Sequence, residues 1–228
     1  MCPQSTLPQT LPATDISLKI IPETTLFPPN TFDKSWNNYA LQMSLKLLVS
    51  SIIETEYYLT LDSDVLLHSP ISPQSFVRGG RAIFDLEERD VHLSWWSGSA
   101  QVLGVAYSEE SEIRGPEGGF GVTPAVMSTA GALITLGRLH AVNGDNGQEK
   151  FSWLRSWDST WWSEYTLYRI SLDHSRTFRL LHDSPRSRFP PEGLSLACGN
   201  VWFEGDTWEP RKVFEKRERE EVSMLREK

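Results

Sequence analysis

A short apolar run that leads directly into two acids is the feature that most constrains how this 228-residue chain can fold. Residues 57–61 (YYLTL) have the composition of a buried strand, and Asp62 and Asp64 follow at once. Side chains on an extended backbone repeat every two residues, so both carboxylates can point the same way. Two acids at a buried strand end are costly unless a cation or hydrogen-bond donors satisfy them. The pattern therefore predicts a ligand or metal site at the end of a strand in an α/β domain.

The spacing of these acids suits a hard divalent cation. Mg²⁺ and Mn²⁺ take one or two protein carboxylates and complete their shell with water and phosphate oxygens. Such an ion neutralises charge on a departing diphosphate. An Asp-x-Asp alone is a weak signal, because acid pairs also occur in turns and helix caps. The apolar segments on both sides of the pair favour the functional interpretation.

Strand and helix patterns alternate along the rest of the chain. Two apolar rows predict a helix that begins at Asp33 or Ser35. The other predicted strands are residues 15–23, 81–85, 120–123 and 177–182, and the other predicted helices are 91–104, 125–140, 149–157 and 160–172. This alternation predicts an α/β/α sandwich with a mostly parallel central sheet.

Composition sets the domain organisation and excludes some partners. We expect a poorly ordered lead-in over residues 1–14, one domain over 15–208 and a charged helix or tail over 209–228. The net charge of −8 argues against nucleic-acid binding. No stretch reaches the ~18–20 apolar residues of a membrane span, so the chain as given is expected to be soluble, with its compartment open between cytoplasm and Golgi lumen. Nine Trp residues favour a sugar ligand weakly.

Residues 57–65 (YYLTLDSDV) resemble the strand and DxD motif of the GT-A glycosyltransferases. Other blocks resemble a poorly characterised group of proposed glycosyltransferases that carry a domain of unknown function. These blocks are Trp36 with Gln42 and residues 45–47 (LKL), residues 121–127 (GVTPAVM) and residues 162–168 (WSEYTLY). Together the blocks spread over residues 15–205.

The resemblance implies a GT-A-like, Rossmann-like fold, a UDP- or GDP-sugar donor, Mn²⁺ or Mg²⁺, and a glycan or other hydroxyl acceptor. Asp64 would ligate the metal, and Asp62 would contact the ribose or share the metal. Glu164 would face the acceptor or the transferred sugar, as a general base in an inverting enzyme or a charge stabiliser in a retaining one. His182 would supply a late metal ligand. GT-A domains usually begin one βα unit before the segment that residues 15–23 resemble, so we expect either that the sequence is an incomplete copy or that the base-binding half is missing.

Several candidate ligand residues also have simpler interpretations. Lys46 fits a surface lysine that lays its stem along an apolar helix, and Gln42, one turn earlier, fits a polar residue at the helix edge. Thr123 would either shape a sugar pocket or help to start the helix predicted to begin at residue 125. A single His such as His182 is often a structural residue.

Glu164 is the candidate catalytic residue with the most balanced alternatives. On a helix it shares a face with Trp161 and Tyr168, which lie three residues before it and four after it. An acid among aromatic rings fits a sugar site. A partly exposed Glu beside Arg169 fits an ion pair equally well.

Two rival functions stay open beside the glycosyltransferase. The first is a truncated, non-catalytic GT-A-like module with a binding or scaffolding role, favoured by the missing first βα unit. The second is a metal-dependent phosphohydrolase that uses the same acid pair with Asp85 and Asp183. The chain contains no nucleophile-elbow, Walker or zinc-protease motif, so other enzyme classes have little support.

Overall fold

The computed structural model describes residues 19–28, 32–62, 65–67, 72–84, 86–87, 92–106, 119–120, 124–144, 151–183 and 198–200. Its helices are α1 (Asn38–Leu48), α2 (Leu93–Val102), α3 (Thr129–Asn143), α4 (Ser152–Arg155), α5 (Trp157–Thr160), α6 (Glu164–His174) and α7 (Phe178–Leu181). Its strands are β1 (Tyr57–Thr60), β2 (Val65–Leu67), β3 (Val77–Arg78), β4 (Arg81–Ala82), β5 (Leu86–Glu87), β6 (Gly119–Phe120), β7 (Ala125–Ser128) and β8 (Cys198–Asn200). The presence of both helices and strands confirms the mixed α/β class.

Side-chain caps fix where the longer helices begin. The Asn37 side chain accepts hydrogen bonds from two backbone N–H groups at the start of α1. Ser128 caps α3 through the N–H of Gly131. Ser163 and Thr166 form a reciprocal capping box at the start of α6. These caps satisfy N–H groups that the first turn of a helix leaves without an internal partner.

The strand pairing departs from the expected mostly parallel sheet. In the part of the chain that the structure describes, the strands pair two by two and antiparallel, as β1–β7, β2–β8, β3–β4 and β5–β6. A parallel contact occurs as an isolated bridge between Ala82 and His182. Sequence periodicity specifies which residues can form a strand but not the direction of the partner, which accounts for the difference.

One predicted helix begins later than expected, and one predicted strand has the wrong type. The helix predicted over residues 125–140 begins only at Thr129, because residues 125–128 pair with β1 and Ser128 is the cap. The strand predicted over residues 177–182 is mainly the short helix α7. Short apolar runs satisfy both patterns, so tertiary pairing decides between them.

Other predicted boundaries shift without changing the architecture. Among the described residues of the strand predicted over 81–85, Arg81 and Ala82 form β4, and the described part of the helix predicted over 149–157 contains α4 and the start of α5. Residues 19–22 are irregular and lead into a 3₁₀ turn at Glu23–Thr25, in place of the strand predicted there. The expected lead-in over residues 1–14 and tail over 209–228 lie outside the described residues.

The core is built around α6. Every residue from Glu164 to Leu172 is buried, and α1, α2 and α3 pack against this helix. The core also takes in four tryptophans, Trp36, Trp96, Trp153 and Trp162. Gly131 of α3 lies so close to α6 that an added Cβ would come within 2.6 Å of the Tyr168 hydroxyl. No helix within the described ranges is long and apolar enough to cross a membrane.

Candidate active site

Helix α1 brings two polar side chains to the end of β1. Gln42 and Lys46 are one turn apart, so they project from the same face of the helix. Their neighbours Leu41, Met43 and Leu47 are buried and fix the rotation of the helix. The polar edge of α1 is thereby directed at Asp62, two residues beyond the end of the strand.

Lys46 joins two carboxylates from distant parts of the chain. Its Nζ lies 2.6 Å from Oδ1 of Asp62 and 2.7 Å from Oε1 of Glu164, the first residue of α6. The Gln42 amide donates to the same Asp62 oxygen at 3.2 Å. The side chains of Lys46 and Glu164 are 13% and 3% exposed, and that of Asp62 is 28% exposed. We call Gln42, Lys46, Asp62 and Glu164 the carboxylate cluster.

Tyr165 links the carboxylate cluster to the paired strands β1 and β7 through hydrogen bonds. The Thr60 hydroxyl donates to the Ala125 carbonyl at 2.9 Å, so it receives the proton of the Tyr165 hydroxyl at 3.0 Å. Lys46 in turn donates to the Tyr165 oxygen at 3.3 Å. These bonds tie the start of α6 to β1 and β7 and hold Glu164 beside the strand end.

Burial and charge set the protonation of the cluster. Burial alone would lower the pKa of Lys46, but the negative charge of Glu164 and the hydrogen bonds to both carboxylates outweigh it and raise that pKa. Burial raises the pKa of Glu164, and the Lys46 ammonium opposes this rise. Two carboxylates and one ammonium leave a formal excess of one negative charge. Lys46 is protonated because its pKa is raised, and the remaining negative charge allows the cluster to attract a cation or hydroxyl donors.

Other candidate residues lie elsewhere. Asp64 and Thr123 fall outside the described residues. Within the described part of the chain, no three His, Cys, Asp or Glu side chains group as a metal site. That finding leaves the predicted metal role of Asp64 as a prediction, since its carboxylate would complete the site with Asp62.

His182 is a core residue in the structure. It is 1% exposed and stacks on Phe178, with ring centroids 4.8 Å apart. The Tyr168 hydroxyl accepts from the Ser128 N–H at 2.9 Å and directs its own proton to Nε2 of His182 at 2.7 Å. Burial, followed by the positive charge of Arg169, lowers the pKa of His182 to about 3. This neutral, enclosed ring is accounted for by packing, so we do not retain it as a metal ligand.

Sequence reasoning did not single out Tyr39 or Tyr165 for the site. Tyr165 directly follows Glu164, and Tyr39 lies three residues before Gln42 on the α1 row that also contains Lys46. Helical spacing could have found Tyr39 once Gln42 and Lys46 were chosen. The Tyr168 predicted to share a face with Glu164 instead bonds to the core residue His182.

The described elements define a mixed α/β domain with a partly exposed ionic cluster at the end of a strand. A model for a family of unknown function, DUF6492, matches residues 9–223, and the chain belongs to this family. No curated protein and no solved structure gives a significant match. The family description assigns no activity, and the chemistry of the site is what points to a function.

Proposed function

We propose that this chain is a metal-dependent glycosyltransferase of GT-A type that moves a sugar from a nucleoside-diphosphate donor to an acceptor hydroxyl. The observation that carries the proposal is the contact of Lys46 with both Asp62 and Glu164. Lys46 and Glu164 are 118 positions apart in the chain. The residues proposed for the donor and for the transferred sugar are thus neighbours, as a single transfer site requires.

Asp62 is suited to hold a polar group of the donor. Gln42 and Lys46 both contact its Oδ1, so the carboxylate has a fixed orientation. Its side chain is 28% exposed, which leaves it accessible from solvent. A fixed, accessible carboxylate accepts hydrogen bonds from ribose or sugar hydroxyls at low entropic cost.

Glu164 is suited to act on the acceptor. Burial raises its pKa, which brings its affinity for a proton closer to that needed by a general base near neutral pH. In a retaining reaction the same carboxylate would stabilise an oxocarbenium-like transition state. Lys46 fixes the position of the carboxylate through Oε1 in either case.

The acid pair at the end of β1 fits a hard divalent cation. Asp62 and Asp64 would hold Mn²⁺ or Mg²⁺ through carboxylate oxygens, the ligand type that these ions prefer. When bound, the ion would neutralise charge on the departing diphosphate.

The phosphohydrolase alternative gains no support from the described contacts. Asp183 forms an ion pair with Arg81, with 3.0 Å between Oδ1 and Nη2. Its backbone N–H donates to the Ala82 carbonyl at 2.8 Å. Asp85, the other acid that a hydrolase would need, lies outside the described residues.

A thermal-shift titration tests the proposal. The wild type is melted with UDP, GDP and their sugars, each with and without Mn²⁺, beside Asp64→Ala and the control Glu56→Ala. Glu56 is an exposed acid at the opposite end of the same strand. A nucleotide at a hundred times its Kd stabilises the folded state by about 2.7 kcal/mol, which raises the melting temperature.

We expect a Mn²⁺-dependent rise with one nucleotide, kept in Glu56→Ala and lost in Asp64→Ala. Glu164→Gln should keep this rise but lose the slow hydrolysis of the donor, in which water accepts the sugar and the nucleoside diphosphate is released. A cooperative melt that no nucleotide shifts would overturn the enzyme proposal, and the non-catalytic binding module would then be the better explanation.

A further inference from the structure

Three aromatic side chains form a partly exposed surface beside the carboxylate cluster. The rings of Trp157 and Trp161 stack at 5.4 Å between centroids, inclined by 28°. Tyr39 meets Trp157 edge to face, also at 5.4 Å. Trp161 is 52% exposed and Tyr39 is 45% exposed. We call these three residues the aromatic platform.

The backbone of Trp161 is held in an unusual conformation. Its φ of 52° and ψ of 47° are left-handed, a region that costs a bulky residue conformational energy. Gly98 of α2 makes room for this turn, since a Cβ there would lie 1.6 Å from the Thr160 carbonyl oxygen. The chain thus keeps a strained tryptophan at the surface. Strain of this kind concentrates at ligand sites.

The aromatic platform is continuous with the carboxylate cluster. Tyr39, Gln42 and Lys46 follow one another along one row of α1, at positions i, i+3 and i+7. Trp161 precedes Glu164 by three residues, separated by the cap of α6. Burial, and then the charge of Glu164, raises the pKa of Tyr39, so this side chain lies within the electrostatic range of the cluster.

We propose that the aromatic platform binds a pyranose ring of the acceptor glycan. A pyranose has an apolar C–H face that packs on flat aromatic rings and hydroxyl groups that donate to carboxylates. The platform and the carboxylate cluster offer these two surfaces side by side. The carboxylates of the cluster accept hydrogen bonds from sugar hydroxyls, so the ligand that we assign to the platform is a neutral sugar. The assignment of this sugar as the acceptor rests on the proposed glycosyltransferase function.

Trp161→Asn tests the platform without endangering the fold. Asn tolerates the left-handed backbone better than Trp, so the melting temperature should stay level or rise. The probes are five neutral disaccharides: cellobiose, maltose, lactose, mannobiose and chitobiose. Saturation-transfer NMR detects binding, and titration calorimetry measures affinity. Leu180→Asn, which removes a 71% exposed apolar side chain on α7, is the control.

We expect at least one disaccharide to bind to the wild type and to Leu180→Asn. Its affinity should fall by about tenfold or more in Trp161→Asn, because the stacking surface is lost. The proposal is overturned if none of the five binds, or if Trp161→Asn binds as well as the wild type. It is also overturned if Trp161→Asn weakens uridine binding in place of sugar binding.

The nucleotide titration separates this proposal from the proposed function. If Trp161→Asn keeps the Mn²⁺-dependent thermal shift and loses the disaccharide, both proposals are supported. If the wild type binds the disaccharide through Trp161 but no nucleotide shifts its melting, the platform is supported and the transferase is not. If nucleotides bind and no disaccharide does, the transferase stands and the platform proposal fails.

Discussion

Helix α6 takes part in two polar clusters that differ in their access to solvent. At its start, Glu164 contacts Lys46 and, through it, the partly exposed Asp62. One turn later, Tyr168 contacts His182, and both side chains are at most 1% exposed. We call Tyr168, Arg169, Phe178 and His182 the histidine cluster.

The histidine cluster makes its polar contacts within the core. The Tyr168 hydroxyl accepts from Ser128 and donates to His182, and the Arg169 guanidinium lies 3.5 Å above the Phe178 ring centroid while pairing with Asp173. The carboxylate cluster instead retains an excess negative charge and opens beside exposed aromatic rings. A closed polar cluster stabilises a fold, whereas an open and charged one is available to bind a ligand.

The largest stability effect should come from Lys46→Met. This change leaves Glu164, 3% exposed, without its counter-ion, and the free energy of unfolding should fall by about 3–5 kcal/mol at neutral pH. The deficit should shrink as pH falls, because protonation makes Glu164 neutral. Urea denaturation of Lys46→Met and of Lys46→Met/Glu164→Gln measures the loss of unfolding free energy and its change with pH.

The double variant should recover at least half of the loss, since a neutral amide needs no counter-ion. A loss below ~1 kcal/mol in the single variant would mean that water reaches Glu164 and that the pair resembles an exposed salt bridge. That result would contradict the burial of Glu164, on which its proposed role as a general base depends.

His182 should give the histidine cluster a dependence on pH. Its pKa is about 3 in the folded chain and about 6.5 in the unfolded chain, so only the unfolded state takes up this proton between those values. Its contribution to stability is complete above pH 6.5 and is lost as pH falls toward 3. From pH 6.5 to 4 the loss is roughly 3 kcal/mol.

Urea denaturation across this range, with His182→Gln for comparison, isolates the contribution of the ring. The wild type should lose more stability than His182→Gln between pH 6.5 and 4. If the free energy of unfolding changed equally with pH in the two proteins, His182 would take up its proton as readily in the folded state as in the unfolded state. The histidine cluster would then be accessible to protons.

A smaller effect is expected from Tyr168→Phe. Loss of its hydroxyl leaves the Ser128 N–H and His182 Nε2 without their mutual partner in the core, which should cost about 2 kcal/mol in urea denaturation. Tyr57→Phe is the control, because the Tyr57 hydroxyl donates to two carbonyls at a half-buried position. The control should cost less than ~1 kcal/mol.

Neither tyrosine variant should alter nucleotide binding. An effect of Tyr168→Phe on the Mn²⁺-dependent thermal shift would show that the two clusters are coupled through α6, contrary to the separation described above.

Local sequence signals and a family resemblance together were enough to predict the main parts of the site. Apolar spacing indicated α1, and the apolar run before Asp62 indicated β1. The choice of Gln42, Lys46 and Glu164 relied on blocks that resemble a known group, and the structure places all three with Asp62. These are properties of single segments, in which a periodic pattern or a short motif contains the information.

Pairing between segments lay beyond sequence reasoning. The antiparallel partner of β1 was predicted as a helix, and the helix α7 was predicted as a strand. His182 was proposed as a ligand although Tyr168 and Phe178 enclose it. In each case contacts formed in the folded chain outweigh the local preference.

The sequence by itself determined the family, the apolar faces of the main helices and the acids at the end of β1. Only the tertiary structure decided that Lys46 joins Asp62 to Glu164, that His182 is enclosed, and that Trp161 stays at the surface in a left-handed turn. The physical reason is the separation along the sequence over which each interaction acts. Helix and strand patterns depend on neighbours along the chain, whereas ion pairing, burial and the room that Gly98 leaves for Trp161 depend on segments that meet only after folding.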